Sequence, residues 1–402
     1  MSICRLETEM FSPAATPPRL ATLICLTGVS TLSLNMFLPS LVAIAEDFET
    51  SYAIVSLSIA GYLAVTAVLQ IAIGPLSDRF GRRPVLLTAL VIFILASIGC
   101  ALSDNVWVFL FFRLLQGAVI AGSALSPAIV QDTLPAKQAA SLLGYISMAM
   151  AVAPMLGPML GGALDELFGW RSSFLTLIVI GSALFALVWT DLGETNKFPM
   201  ETFGRQLRAY PALLKSQLFW GYALCMAFSV GAFYIFLAGA PLVARVLFDM
   251  SSGTLGLYLG SITVGFFFGS LIAARLAKRY SLAAMMLAGR LVACIGLLVG
   301  LTLLATGTVH EASVFGATIF VGIGNGITIP SCRAGAMSVR LDLAGSASGL
   351  SGALTVGGGA VLTWMSAAIV TEDIAAWGLL GMMFGASFLA LLCTVWVIVS
   401  NR

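Results

Sequence analysis

Residues 51–84 read SYAIVSLSIAGYLAVTAVLQIAIGPLSDRFGRRP, and no charged residue occurs between Glu49 and Asp78. An apolar run of about 20 residues or more can cross the hydrocarbon core of a bilayer as a single helix. The run ends in a short segment that combines two glycines with one aspartate and three arginines. The stretch therefore predicts a membrane-spanning helix that is followed by a tight, charged turn at the membrane surface.

The composition of the whole chain agrees with a membrane protein. Of its 402 residues, 59% are hydrophobic and only 9% are charged, and the mean hydropathy is +1.03. A soluble globular protein has about 25% charged residues. A chain with so few charges cannot cover a surface that faces water. Lipid must therefore be its main solvent.

Several classes of function are excluded by what the sequence lacks. The net charge of +2 gives no footprint for nucleic acid. His310 is the single histidine, and the seven cysteines include no Cys-x-x-Cys pair, so they are expected to be small buried thiols. Motifs of nucleotide-binding, hydrolase or metalloprotease sites are also missing. We predict neither an enzyme nor a metal or other cofactor.

The apolar runs predict an all-α membrane protein. A span needs roughly 20 mostly apolar residues, and this rule gives twelve spans. They cover about 20–45, 52–77, 84–103, 106–131, 137–163, 172–190, 216–243, 252–276, 285–306, 312–332, 343–369 and 374–399.

The positive charges of the loops predict the orientation. With the N-terminus inside, fifteen lysines and arginines fall on the cytoplasmic side, and only Arg171 and Arg245 fall on the other. Cytoplasmic loops carry such an excess of positive charge. Arg290 and Arg333 lie near cytoplasmic span ends and are expected to snorkel to the interface. Both termini are therefore predicted to be cytoplasmic.

The longest polar stretch divides the chain into two groups of six spans. It is DLGETNKFPMETFGRQLRAYPALLK, residues 191–215, which contains seven charges. We predict an N-terminal half (1–195), a cytoplasmic linker (196–215) and a C-terminal half (216–402). KQAASLLG (137–144) aligns with DLAGSASG (342–349), which supports a repeat, although chance similarity among small residues is the alternative. Parallel repeats of this kind place a transport site at midplane between the halves.

Arg113 and Asn35 are candidate functional residues inside the predicted spans, and no aspartate or glutamate lies away from a span end. Arg113 is eight residues beyond Asn105, about 12 Å into its helix; the alternative is an arginine that snorkels to the outer interface. Asn35 can exchange hydrogen bonds with a substrate but cannot carry a proton; the alternative is a helix-packing amide.

These residues predict a substrate cavity without negative charge. Soft and aromatic side chains expected beside it suit planar apolar molecules: they are Met36, Phe37, Tyr62, Phe233, Tyr234 and Phe236. An organic cation would be repelled by Arg113 in a medium of low dielectric constant. Neutral or anionic amphiphiles are therefore the predicted substrates.

The loop GPLSDRFGRRP (74–84) resembles the loop signature of the major facilitator superfamily, although a plain charge cluster that stops membrane insertion would explain its arginines. In that family the aspartate and arginines form a network that connects the helix ends of the two halves and holds one conformational state. The resemblance assigns a gating role, rather than a binding role, to Gly74, Asp78, Arg79, Gly81, Arg82, Arg83 and Asp132. In the fourth span, RLLQG (113–117) resembles the family's second motif and marks Arg113 and Gln116 as candidates for substrate binding or coupling.

APMLGPMLGG (153–162) resembles the motif of proton-driven exporters, with Gly157, Pro158, Gly161 and Gly162 in place and Ala153 where a glycine is usual. A generic glycine packing face is the alternative. NMFLPSL (35–41), GWRSSF (169–174) and AGSASGLSGAL (344–354) also resemble the Bcr/CflA family of drug:proton antiporters. Two positions depart from that family: Asn35 stands where an aspartate is usual, and Gln131 where an arginine is usual.

The sequence thus predicts a multi-pass transporter of the bacterial inner membrane with the major-facilitator fold. It would export small amphiphilic molecules, drugs among them, by alternating access. The resemblance implies coupling to the proton gradient, although Asn35 leaves the proton-carrying residue unassigned. We predict a monomer in the lipid bilayer without a soluble protein partner or nucleic acid. An importer of a small metabolite and, in another class, a channel or receptor are the alternatives.

Overall fold

The computed structural model describes residues 18–133, 136–196, 210–276, 279–340 and 343–400, and the regular elements in these ranges are helices. The α-helices of the first part are α1 (Leu20–Asn35), α2 (Leu41–Asp47), α3 (Tyr52–Phe80), α4 (Arg82–Leu102), α5 (Val106–Gln116), α6 (Ile120–Thr133), α7 (Ala136–Phe168) and α8 (Arg171–Asp191). Those of the second part are α9 (Tyr210–Leu214), α10 (Gln217–Phe248), α11 (Ser252–Leu276), α12 (Leu282–Ala305), α13 (Glu311–Ser338), α14 (Ala344–Ile369) and α15 (Ala375–Ser400).

The all-α membrane fold is confirmed. Within the described ranges, eleven helical segments are long and apolar enough to cross a membrane. They coincide with eleven of the twelve predicted spans. The remaining prediction, 137–163, lies on α7, which is helical throughout that range. The predicted linker lies mostly on 197–209, outside the described residues.

Two predicted spans are not single helices. The first breaks between α1 and α2, where a 3-10 turn covers Leu38–Ser40, because Pro39 has no N–H to continue the helical ladder. The fourth is interrupted by a 3-10 turn at Gly117–Val119, between α5 and α6. Four helix starts have conventional caps: the side chains of Ser51, Asn105, Ser216 and Ser281 accept from the first backbone N–H groups.

The bundle has two faces, which we name by their loops. The loop face carries residues 81 and 192–196, and the opposite face carries residues 48–51 and 249–251. The two halves pack together through α7 against α11 and through α3 against α14. Both pairs join a helix of the first half to a helix of the second, so each contact crosses the predicted division.

Near the opposite face, α7 and α11 approach each other closely. A methyl group added to Gly162 would collide with the carbonyl oxygen of Ser252, and one added to Gly256 with that of Pro158. Among the described residues, two hydrogen bonds connect the halves: Tyr52 donates to the carbonyl of Ala238, and Ser251 donates to Glu166 at 3.4 Å. All of these contacts lie toward the opposite face, where the halves are held together.

Candidate functional site

Arg113 lies in the interior of the first half, among α1, α3, α4 and α8. Its side chain is 0% exposed. The guanidinium carbon is 4.1 Å from the ring centre of Phe37, 4.9 Å from that of Tyr62 and 5.9 Å from that of Phe174. Aromatic faces attract a desolvated cation by about 2 kcal/mol or more. Arg113 is thus enclosed by rings and does not snorkel to the interface.

The hydrogen bonds of Arg113 leave part of its guanidinium unused. Its Nη1 donates to the side-chain oxygen of Gln116 and, at 3.4 Å, to the carbonyl of Ser33. Gln116 in turn donates to the hydroxyl of Ser97 on α4 at 2.7 Å. Nε and Nη2 of Arg113 have no partner among the described residues. Arg113 and Gln116, both predicted site residues, are therefore in direct contact, and two nitrogens of the guanidinium remain available to donate hydrogen bonds.

Asn35 lies at the end of α1, against α7 rather than against Arg113. It is 1% exposed, and its amide donates to the carbonyl of Thr31 at 2.7 Å, while its Oδ1 has no partner among the described residues. A methyl group added to Gly157 would lie 2.9 Å from the Cβ of Asn35. Arg113 instead contacts Ser33 on α1 and Phe37 in the turn that follows α1. The two polar residues do not meet, and a binding role for Asn35 stays a prediction.

The predicted aromatic residues divide into enclosed and interfacial ones. Met36 and Phe37 are fully buried in the first half, and Phe236 is fully buried in the second, edge-on to Phe315 at 6.3 Å. Phe233 and Tyr234, by contrast, are only partly buried near the middle of α10, with ring centres 5.8 Å apart. This neighbouring pair is the part of the predicted set that remains accessible.

Tyr62 reaches the same level from the first half. It lies ten residues into α3, about 15 Å from the start of that helix. Its hydroxyl donates to the carbonyl of Ser30 at 3.4 Å. Tyr234 packs over Gly359 of α14. Each half therefore carries an aromatic side chain near midplane.

A charge network at the loop face contains most of the predicted gating residues. Arg82 contacts Asp78 at 2.5 Å and Asp132 at 3.3 Å. Arg83 donates to the carbonyl of Trp189 at 2.7 Å. Arg79 is exposed, with its guanidinium 5.2 Å from the ring centre of Phe80. In this conformation Asp78 pairs with Arg82, so Arg79 is not its partner.

Glu194 belongs to the same network and was missed by sequence analysis. Its carboxylate accepts from the backbone N–H groups of Arg82 at 3.0 Å and Arg83 at 3.1 Å. These groups open α4, whose preceding residue, Gly81 at φ +93°, has no side chain to cap them. The first N–H groups of a helix need an acceptor and favour a negative charge. The sequence Gly81-Arg82-Arg83-Pro84 contains no acceptor for these N–H groups, so it indicated that a carboxylate from elsewhere in the chain caps α4.

The contacts of this network that the described residues show lie within the first half and the segment that follows it. Asn196 donates to the carbonyl of Asp78 at 2.8 Å, and Thr195 donates to Asp132 at 3.4 Å. Gly74 has no neighbour within 4 Å of where a Cβ would lie. The network thus ties the loop to the start of the connecting segment. A gating role for it stays a prediction.

The glycines of the predicted exporter motif lie where α7 touches two other helices. Gly157 and Gly161 face α1, and a methyl group at Gly161 would collide with the carbonyl of Met36. Gly162 and Pro158 face α11 of the second half. Small residues allow such close backbone approach. The motif therefore forms a packing face that reaches both the break in the first span and the interface between the halves.

Arg290 is a second buried cation, and the prediction that it snorkels was wrong. It is 0% exposed on α12. Its Nε donates to the hydroxyl of Thr328 at 3.0 Å and its Nη2 to the side-chain oxygen of Asn325 at 2.8 Å. Arg290 lies eight residues beyond the start of α12, about 12 Å deep. The depth argument that identified Arg113 applied equally here.

A small cavity lies between the halves at the opposite face. Its volume is about 150 Å³, below the range of about 300–1,000 Å³ for drug-sized ligands. It is lined by Pro39, Val42, Ala43, Glu46, Pro241, Arg245, Met250, Ser251, Ser252 and Leu255. This cavity marks the closed end of the interface and not the predicted midplane site.

Comparison with known proteins identifies the family. The family model of the Major Facilitator Superfamily matches residues 23–363. An uncharacterized MFS-type transporter of Bacillus subtilis strain 168 is 34% identical over 252 residues, 61% of this chain and 62% of the relative. A chloramphenicol resistance protein of Pseudomonas aeruginosa is 32% identical over 215 residues, 53% of this chain and 51% of the relative. Multidrug resistance protein D of Escherichia coli K12 is 27% identical over 384 residues, 94% and 95% of the two chains.

Solved structures show the same fold. A bacterial homologue of the human lysosomal transporter Spinster superposes with a TM-score of 0.73 at 17% identity, over 95% of this chain and 96% of the other. A D-xylose–proton symporter superposes with a TM-score of 0.72 at 17% identity, over 92% and 96%. At such identity the likeness shows the fold alone. Together with the match over residues 23–363, it establishes that the chain belongs to the major facilitator superfamily, whose members are membrane transporters and not enzymes.

Proposed function

We propose that this transporter exports small amphiphilic molecules, including drugs, across the bacterial inner membrane by alternating access. The observation that carries the proposal is the alignment over 94% of the chain with a relative named for multidrug resistance. A second relative, over about half of the chain, is named for chloramphenicol resistance. A neutral phenicol is therefore the first substrate to test.

The packing of the halves supports alternating access. In this conformation α7 and α11 touch at the opposite face, where Tyr52 and Ser251 bridge the halves. Rocking of one half against the other would have to break these contacts and close the loop face instead. We propose that the Asp78–Arg82–Asp132 network holds one of these two states. The accessible pair Phe233 and Tyr234 would then contact substrate near midplane.

The charges of the interior support a preference for neutral or anionic substrates. Arg113 and Arg290 are both fully buried, and no aspartate or glutamate lies within the interior of the predicted spans. A permanent organic cation at midplane would meet positive charge in a medium of low dielectric constant. The rings around Arg113 reduce this repulsion but contribute no negative charge. Coupling to protons is supported by the resemblance to drug:proton antiporters.

Flux into inverted membrane vesicles tests the proposal against its alternatives. Vesicles that contain the protein should accumulate a neutral phenicol when an acid-inside proton gradient is imposed, and the rate should saturate with substrate. A protonophore should abolish accumulation. Flux that does not saturate would indicate a channel, and accumulation by intact cells would indicate an importer. A resistance profile in a pump-deficient bacterium would extend the list of substrates.

The proposed orientation can be tested separately. The fifteen positive loop charges of one side predict that both termini are cytoplasmic. Reporter fusions after Lys197 and at the C-terminus should both report the cytoplasm. A periplasmic signal at either position would overturn the orientation, while leaving the fold and the transport assay unaffected.

A further inference from the structure

The second half contains a buried charge that the proposed export mechanism does not yet use. Arg290 is 0% exposed, and the partners it shows among the described residues, Thr328 and Asn325, are neutral. Its Nη1 has no partner there at all. A charge inside a membrane domain is costly, and such residues are usually functional. Simple attachment of α12 to α13 could be provided by apolar packing at lower cost.

The hydrogen bonds continue from Arg290 to a third helix. Asn325 is 4% exposed, and its amide donates to the backbone carbonyl of Ser229 on α10 at 3.0 Å. Inside an α-helix this carbonyl also accepts from the N–H group four residues later, which is that of Phe233. The chain from Arg290 through Asn325 therefore ends on the turn of α10 that carries Phe233 and Tyr234. We call Arg290, Thr328, Asn325 and the Ser229 carbonyl the Arg290 clamp.

A second attachment holds α10 on the other side of the aromatic pair. The hydroxyl of Tyr52, from the first half, donates to the carbonyl of Ala238. Ser229 and Ala238 are nine residues apart, about 13 Å along the helix. Phe233 and Tyr234 lie between these two points. The Tyr52 contact joins the halves, whereas the Arg290 clamp acts within the second half and can persist while the halves rock.

We infer that Arg290 is a positioning residue for substrate binding: through Asn325 it fixes the rotation of α10 and so the positions of the partly buried side chains of Phe233 and Tyr234. The inference rests on the proposed function for its substrate but not for its geometry. A guanidinium suits the task because its planar fork serves Asn325 and Thr328 at once, one turn apart on α13, which a lysine ammonium cannot match.

A double-mutant cycle tests whether Arg290 acts through the aromatic pair. Vesicle transport of a neutral phenicol is measured for Arg290→Gln, Phe233→Ala and the double variant, with Arg333→Gln, an exposed arginine on α13, as the control. We expect Arg290→Gln to raise KM about tenfold at nearly unchanged kcat, which corresponds to about 1.4 kcal/mol. In the Phe233→Ala background it should add less than about twofold, because coupled residues are not additive. Arg290→Lys should recover part of the loss.

Two results would overturn the inference. One is an equal rise in KM in both backgrounds, and the other is a fall in kcat alone; either would make Arg290 a general structural residue. If Arg290→Gln does not accumulate in the membrane, the same cycle is run with Asn325→Ser, which removes the bridge and keeps the arginine.

A readout without transport separates this inference from the proposed function. The rate at which a small maleimide alkylates the thiol introduced by Phe233→Cys is followed by mass spectrometry. Adding Arg290→Gln should change this rate at least about threefold, and adding Arg333→Gln should not. An unchanged rate with Arg290→Gln contradicts the positioning role even if export is normal. A wild type that transports no phenicol contradicts the proposed function and leaves this readout valid.

Discussion

Among the described residues, each half of the transporter contains one arginine that is 0% exposed, and the two halves stabilise it in different ways. In the first half, aromatic rings surround Arg113, at 4.1 Å for the nearest ring centre, and two of its nitrogens remain without a partner among the described residues. In the second half, an amide and a hydroxyl accept from Arg290, and one nitrogen remains. Aromatic faces stabilise charge without using up donors, whereas hydrogen bonds fix geometry. The difference suits Arg113 to coupling or binding and Arg290 to positioning.

The largest expected effect on transport is that of replacing Arg113, and it tests whether the two buried arginines have different roles. Arg113→Lys should reduce kcat/KM for a neutral phenicol by about a hundredfold, because an ammonium loses the planar contact with the rings and the fork to Gln116 and Ser33. Arg290→Lys should cost less than about tenfold, because its role is indirect. Both are measured as initial flux at matched membrane levels. Equal losses in the two variants would mean that the two arginines play the same part.

Substitutions in the charge network at the loop face test whether surface cations affect transport differently from the buried arginines. Asp78→Asn and Arg82→Gln should each lower kcat by about tenfold or more at normal membrane level and nearly unchanged KM if the network gates, as we propose, and does not bind substrate. Arg79→Gln should stay within about twofold of wild type, since Arg79 is exposed and the ion pair that Asp78 forms among the described residues is with Arg82. A larger loss for Arg79→Gln than for Arg82→Gln would show that another conformation governs the gate.

The smallest expected effect concerns stability. Glu194→Gln should lower the free energy of unfolding by about 1 kcal/mol, because a neutral amide is a weaker partner for the start of α4 than a carboxylate is. For a chain of 402 residues that corresponds to about 1 °C in the thermal midpoint. Glu372→Gln, at an exposed position, is the control. An unchanged thermal midpoint for Glu194→Gln would contradict the inference that Glu194 stabilises the start of α4.

Much of the fold could be predicted from the sequence because lipid imposes a simple rule on it. Apolar runs of about 20 residues predicted the membrane spans, and the polar stretch 191–215 predicted the boundary between the two groups of six spans. The breaks at Pro39 and at Gly117–Val119 divide two predicted spans. Hydropathy does not detect such breaks, because it is averaged over a window much longer than a turn of three residues.

The site was less predictable, because the burial of a side chain and its hydrogen-bond partners depend on contacts between helices that are distant in the sequence. Arg113 and Gln116 were found together, since they lie one turn apart on one helix. Arg290 was misread, because its partners Asn325 and Thr328 come from another helix, more than thirty residues along the chain. The surroundings of Asn35 were also open, and the structure places it against Gly157 of α7. Glu194 was missed for the same reason as Arg290: its ligands begin a helix more than one hundred residues earlier.

Competition between a neutral and a cationic compound tests the central claim most directly. Two unit charges 4 Å apart at an effective dielectric constant of 20 repel by about 4 kcal/mol, and half of that lowers affinity about thirtyfold. In inverted vesicles, the wild type should therefore transport a neutral phenicol at least about thirtyfold better, by kcat/KM, than a lipophilic quaternary ammonium. Asn35→Asp, which restores the family's carboxylate, should narrow that ratio. If the wild type exports the quaternary cation as well as Asn35→Asp does, Asn35 is a packing amide and the account of a positively charged interior that selects against cations is wrong.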